Sequence, residues 1–169
     1  MTINGCKIEP ETICLSADLP GADFNRASLN AADLSGANLT GANVSEANLS
    51  GADLSNANLA NANLQDANLR GTYFRGANLH GANLRKASLG GADLGEADLS
   101  GANLTLAINL DEADLNGAQY DRQTRWPRHD GQDFLAEMEA ALLELNFLIQ
   151  WRRGRCWWKR RTDPLGAGV

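Results

Sequence analysis

From Ala17 to Leu104 one five-residue phrase recurs without a slipped register: Ala, then Asp or Asn, then Leu, then a small polar residue, then Gly or a similar residue. With the Leu taken as centre, the centres fall at Leu19, Phe24, Leu29, Leu34 and so on every fifth residue to Leu104, with Val44 and Phe74 as the other variants. Ala stands two places before each centre, and Thr72 is the one exception. This period excludes both common elements. In an α-helix successive centres lie about 140° apart round the axis, so no apolar stripe forms. In a straight strand an odd period sends alternate centres to opposite faces and leaves half of them in water.

The pattern fits a chain that turns once per repeat. A short extended side of about three residues points Ala and Leu inward and Asp or Asn outward, and the last two positions make a corner. Ser35-Gly36, Thr40-Gly41, Ser50-Gly51 and Ser100-Gly101 are residue types that tolerate such corners. Coils of this kind, stacked about 4.8 Å apart, satisfy their backbone groups between coils as a sheet does.

Over roughly Ala17 to Tyr120 the tandem phrase resembles the pentapeptide-repeat proteins. The resemblance implies an all-β solenoid, a right-handed quadrilateral β-helix in which four repeats complete one coil. Periodicity alone does not choose four sides over three. About five coils are expected, or roughly 25 Å of rod, followed by a C-terminal α-helix. The reading by segment is a lead-in or cap over 1–16, the β-helix over 17–121, a closing segment with an amphipathic capping helix over 122–150, and a basic, Trp-rich tail over 151–169.

Composition is consistent with one soluble repeat domain: 169 residues, 43% hydrophobic and 6% aromatic, with a net charge of -6. Residues 1–120 hold 14 Asp/Glu against 6 Lys/Arg, whereas 121–169 hold 7 against 9, so an acidic body joins a mildly basic tail. No run approaches a membrane span, and the start MTINGCKIEPE does not read as a signal peptide. A cytoplasmic location is expected. Cys6, Cys14 and Cys156 lack metal-ligand spacing, and their odd number in such a chain points to reduced thiols, with a redox role for Cys6 and Cys14 as the lesser alternative.

Wrapped at twenty residues per coil, the inward columns include Leu19, Phe24, Leu34, Leu54, Phe74, Leu94 and Leu104 as the core. One outward column reads Asp33, Asp53, Tyr73, Asp93, so an aromatic interrupts an acidic ladder. Tyr73 sits between Arg70 and Arg75, where the alanine rule also breaks, and this marks the least regular side. Exposed Tyr and Arg often anchor interfaces, although Tyr73 also serves simply to cover its neighbours in the bland reading. Arg70, Arg75, His80 and Arg85 take equivalent places on successive sides of one coil. A belt of that kind presents few charges to one duplex, so no specific nucleic-acid binding is expected. Another outward column places Asn38, Asn58 and Asn78 between Asp18 and Asp98.

At the ends, Ile3, Ile8, Ile13 and Cys14 are available to cover the open first coil, and Thr12-Ile13-Cys14 reads as a degenerate repeat. After Leu104 one extra residue precedes Leu110, which a bulged side absorbs most simply. Tyr120 to Pro127 resembles the closing segment of family members, making Trp126 a lid. From Asp133 the period becomes helical, and Phe134, Met138, Leu142, Leu145 and Ile149 form a stripe that either caps the solenoid or pairs two copies in a homodimer. In the tail, Trp151, Arg152, Arg153, Trp157, Trp158, Lys159, Arg160 and Arg161 suit an anionic membrane surface, single-stranded nucleic acid or self-association, unless the segment is a solvated terminus.

No phosphate loop, metal set or catalytic constellation is read, and no cofactor is expected. The expected function is a non-enzymatic scaffold that presents a convex β-helix surface to an unidentified protein partner. Two alternatives stand beside it: a DNA-mimicking binder of DNA gyrase, an activity known among the proteins it resembles, and a peripheral membrane scaffold held by the tail.

Overall fold

The computed structural model describes residues 2–127. The predicted helical stripe from Phe134 to Ile149 and the Trp-rich tail lie outside the described residues. Within them the chain coils in four sides, held by parallel bridges between residues twenty apart, or twenty-one to twenty-two apart where Asp114, Gln119 and Arg125 pair on the last coil. Side 1 stacks Ile13, Asp33, Asp53, Tyr73, Asp93 and Asp114; side 2 stacks Asp18, Asn38, Asn58, Asn78, Asp98 and Gln119. Side 3 stacks Asp23, Asn43, Asn63, Asn83, Asn103 and Arg125, and side 4 stacks Ser28, Asn48, Asn68, Ser88 and Ile108. The described residues are therefore a four-sided β-helix whose sides are single bridged residues separated by turns.

The repeat explains each bond. The central Leu donates its N–H to the outward residue one coil on, as Leu54 does to the Tyr73 carbonyl at 2.7 Å, and the outward residue donates back, as Asp53 does to Ala32 at 2.8 Å. A third bond closes each corner, as from the Ala57 N–H to the Leu54 carbonyl at 3.0 Å. The outward Asp or Asn reinforces that corner, because its Oδ1 accepts the N–H two residues on, at 2.8 Å for Asp53 and Ser55. On side 3 the amides also link rung to rung, Asn43 to Asp23, Asn63 to Asn43 and Asn83 to Asn63, at 2.9, 3.3 and 3.0 Å.

The last corner position has positive φ, which explains its glycines. At Gly76 and Gly81 there is a second reason. A Cβ there would come within 2.6 Å of the Asn56 or Asn61 Oδ1 on the coil before.

All seven predicted core residues, Leu19, Phe24, Leu34, Leu54, Phe74, Leu94 and Leu104, are at most 2% exposed. Alanine at the preceding inward position lets opposite walls close on one another. The interior cavity beside Phe24, Leu29, Leu34, Leu39 and Val44 is only ≈ 10 Å³, barely the room one water requires. A buried Leu contributes roughly 1.5–3 kcal/mol, whereas ordering each backbone residue costs about 1–2 kcal/mol, so single coils depend on their neighbours.

A hairpin of β1 (Thr2–Ile3) and β2 (Cys6–Lys7) covers the first coil. The Asn4 side chain donates to the Asp18 carbonyl at 3.0 Å, so the hairpin's turn reaches the top of side 2. The expectation of reduced thiols is corrected here: Cys6 and Cys14 form a disulfide with their Cα atoms 5.7 Å apart. Cys14 occupies an inward repeat centre and Cys6 is buried above it, so the coil brings together two cysteines whose spacing in sequence carries no such signal. Ile3 and Ile8 pack against the core as expected of a cover. Ile13 does not; it takes the outward place on the first rung of side 1 and is 74% exposed.

The insertion after Leu104 is also placed differently from the expected bulged side. Ile108 pairs in register with Ser88, and the extra residue is taken up beyond it in a 3-10 helix, Leu110–Glu112, which follows Asn109 at φ 59°. A turn absorbs length there without breaking a rung. Trp126 closes the described end as the lid reading requires: it is 5% exposed and meets Tyr120 edge to face at 5.4 Å. Burial raises the Tyr120 hydroxyl pKa above its ordinary value.

Candidate functional site on side 1

Bridges run from Asp53 to Tyr73 and from Tyr73 to Asp93, so the predicted outward column is a physical stack with Asp33 above and Asp114 below. Arg70 and Arg75 occupy the corners before and after Tyr73 on the same coil, and all three side chains are exposed. The structure thus gathers Asp33, Asp53, Arg70, Tyr73, Arg75 and Asp93 on one side and its edges. His80 and Arg85 follow at the next corners round the coil, as the belt reading requires.

The site is not irregular in its backbone, contrary to the expectation drawn from the broken alanine rule. Thr72 is fully buried, and its Oγ1 donates to the Leu49 carbonyl at 2.8 Å. That bond satisfies the one polar atom which distinguishes Thr72 from an inward Ala. Tyr73 still donates to the Ala52 carbonyl at 2.9 Å, and Phe74 to the Asp93 carbonyl at 2.7 Å. Thr124 repeats the device on side 3, with Oγ1 donating to the Leu99 carbonyl at 2.9 Å.

Sequence reasoning missed four residues that shape this surface: Gly90, Gly95, Glu96 and Glu112. Gly90 and Gly95 stand twenty residues after Arg70 and Arg75, where a side chain would obstruct each guanidinium. A Cβ at Gly90 would lie 3.3 Å from the Arg70 Nη1, and one at Gly95 would lie 3.2 Å from the Arg75 Nη1. Each arginine therefore lies against a buried glycine one coil on. Glu96 forms an ion pair with Arg75. The Glu112 carboxylate approaches the same Gly90 space, 3.0 Å from the position of its absent Cβ. The signal was present in the columns Ser50-Arg70-Gly90 and Ser55-Arg75-Gly95, but it shows only when corners are wrapped as well as sides.

The acidic ladder serves the corners as well as the surface. Asp33, Asp53 and Asp93 each accept the N–H two residues on, from Ser35, Ser55 and Gly95 at 3.1, 2.8 and 2.9 Å. One carboxylate oxygen of each is thereby engaged in the turn. Among the described residues no His, Cys, Asp and Glu side chains gather as a metal site. What the arrangement offers is a regular outer surface with a charged and aromatic centre.

Fold and surface together define a closed solenoid built from five-residue turns, which presents side chains in fixed columns. The family model described as pentapeptide repeats matches residues 16–45, 42–81, 52–91 and 77–119, with eight copies. The chain belongs to the pentapeptide repeat family, whose members form right-handed β-helices. Among solved structures it is similar to the pentapeptide repeat protein Rfr23 from the cyanobacterium Cyanothece 51142, at 34% identity over 68% of this chain and 90% of that one, with a TM-score of 0.50. A pentapeptide repeat protein of the Arabidopsis thaliana thylakoid lumen is 36% identical over 54% of this chain and 68% of its own, with a TM-score of 0.47. QnrB1, a plasmid-mediated fluoroquinolone resistance protein, is 17% identical over 79% of this chain and 86% of its own, with a TM-score of 0.29. No curated protein matches the chain.

Proposed function

We propose that the protein is a non-enzymatic scaffold which docks a protein partner on side 1, with Arg70, Tyr73 and Arg75 at the centre of the contact and Asp33, Asp53 and Asp93 along it. The observation that carries this reading is Tyr73 itself, 53% exposed at a rung where the flanking coils carry Asp. A rigid aromatic between two arginines is the composition of an interface centre, and a backbone fixed on both edges keeps the ordering cost of binding low. Affinity capture from a native lysate of the source cells tests it. A protein retained by wild type and by His80→Ala, but lost with Tyr73→Ala and with Arg70→Ala, supports side 1. Equal retention by all four forms contradicts it.

The gyrase alternative is tested by adding the protein to a supercoiling assay. The rungs of sides 2 and 3 on the middle coils are neutral, Asn58, Asn78, Asn63 and Asn83, so the side 1 reading predicts no effect of the kind duplex imitation would give. Cytoplasmic residence is kept as part of the proposal, although the closed Cys6–Cys14 pair is what an oxidising compartment favours, and the cap cysteines are where it can fail. Thiols in reducing compartments remain open, whereas exported chains close them. Alkylation of the protein in freshly lysed source cells, followed by peptide mass measurement, reads the state directly. Free Cys6 and Cys14 support cytoplasmic residence, and a closed pair opposes it.

A further inference from the structure

Two surface columns change character on the last coil of side 4. The corner column leading into that side reads Arg26, Glu46, Asp66, Lys86 and then Leu106; the rung column reads Ser28, Asn48, Asn68, Ser88 and then Ile108. Charge and polarity thus give way to apolar side chains at both places on the same coil. Leu106 is 51% and Ile108 54% exposed. Leu106 keeps the left-handed backbone of its column, φ 61° beside 59°, 58°, 56° and 61° at Arg26, Glu46, Asp66 and Lys86, so only its side chain departs from the pattern. Among the described residues nothing buries either side chain.

The path of the chain singles out what covers them. Leu104 donates to the Arg125 carbonyl and Asn103 pairs with Arg125, so Trp126 comes to the rung after Leu104 and Pro127 to the rung after Thr105. Pro127 thus ends the described chain one place short of the corner that Leu106 occupies, on the neighbouring rung about 4.8 Å away. Residues 128–169 follow, and Phe134 is seven residues beyond Pro127. Seven residues span up to roughly 24 Å when extended, more than the return to Leu106 requires. Phe134, Met138, Leu142, Leu145 and Ile149 recur at helical spacing.

We infer that Leu106 and Ile108 form the seat on side 4 for this chain's own apolar stripe, Phe134 to Ile149. The stripe returns against the side of the last coil, beside the point where the chain leaves the solenoid, and side 1 is left clear. The inference stands independently of the docking reading above.

A photoreactive benzophenone side chain placed at position 106 of the full-length protein tests it, with one at position 73 as the comparison. Irradiation is expected to join position 106 to peptides within 134–149 at the mass of a single chain, and position 73 to none of them. Crosslinks at twice the chain mass, which would identify a second copy as occupant, or no crosslink to 134–149 at all, overturn the inference. Amide hydrogen exchange adds a second reading. Leu106→Asp combined with Ile108→Asp is expected to speed exchange across 134–149 at least tenfold while the Leu54 amide is unaffected; unchanged exchange across 134–149 also overturns it.

Discussion

Tyr73 keeps the backbone bonds that Asp or Asn makes at the same rung, so what distinguishes it is the side chain it holds outward. Replacing it with Ala is accordingly expected to change stability by no more than about 0.5 kcal/mol, measured by urea unfolding, while abolishing capture of the side 1 partner. Inward positions behave oppositely. Leu54→Ala is expected to cost about 2–5 kcal/mol, and Ser55→Ala far less, since Ser55 is only half-buried at a corner. Glycines separate further. Gly76→Ala meets both positive φ and the Asn56 Oδ1, whereas Gly41 has nothing within 4 Å of an added Cβ. Each substitution carries the left-handed penalty of roughly 1–2 kcal/mol, and Gly76→Ala is expected to unfold at a lower urea concentration than Gly41→Ala.

The elements at either end depend on specific ties. Cys6 joins the cap hairpin to Cys14 on the first coil, and Cys6→Ser is expected to lower stability by roughly 2–4 kcal/mol, with faster hydrogen exchange in Thr2–Lys7 as its local sign. At the other end Asp121 accepts the Gly101 N–H at 2.9 Å, along with those of Gln123 and Thr124 and the Thr124 hydroxyl. The Gly101 bond is the largest cause of its lowered pKa. A carboxylate lowered on folding stabilises the protein above its unfolded value near 3.8. That contribution is lost as pH falls through the folded value. Asp121→Asn is therefore expected to narrow the difference in urea midpoint between pH 6 and acid pH; an undiminished difference would show that Asp121 does not tie the closing turn. The closing Trp126 was legible from the aromatic-Pro segment. The cap disulfide was not, because contact between Cys6 and Cys14 arises from where the hairpin lies, which spacing in sequence does not encode. The insertion was visible as a missed register, but whether it enters a side or a corner depends on the rung that Ile108 keeps with Ser88.

For the molecule as a whole, coils that each contact only their neighbours make stability a property of the stack. The five-residue period established which residues face inward, as Leu34, Leu54 and Phe74 show, because no other placement keeps them dry. It left the number of sides open, and that came from the family resemblance. Side 1 was legible as a column through Asp33, Asp53, Tyr73 and Asp93, whereas the glycines beside Arg70 and Arg75 emerged only once corners were stacked too. Every surface statement therefore depends on residues twenty apart being neighbours. The direct measurement is oxidative closure of paired cysteines in a Cys156→Ser background. Asn58→Cys with Asn78→Cys joins bridged residues of side 2 and is expected to close readily into an intrachain disulfide, while Asn58→Cys with Tyr73→Cys is expected to stay open. Closure of the fifteen-residue pair in place of the twenty-residue pair would contradict the four-sided coil and the side 1 surface built on it.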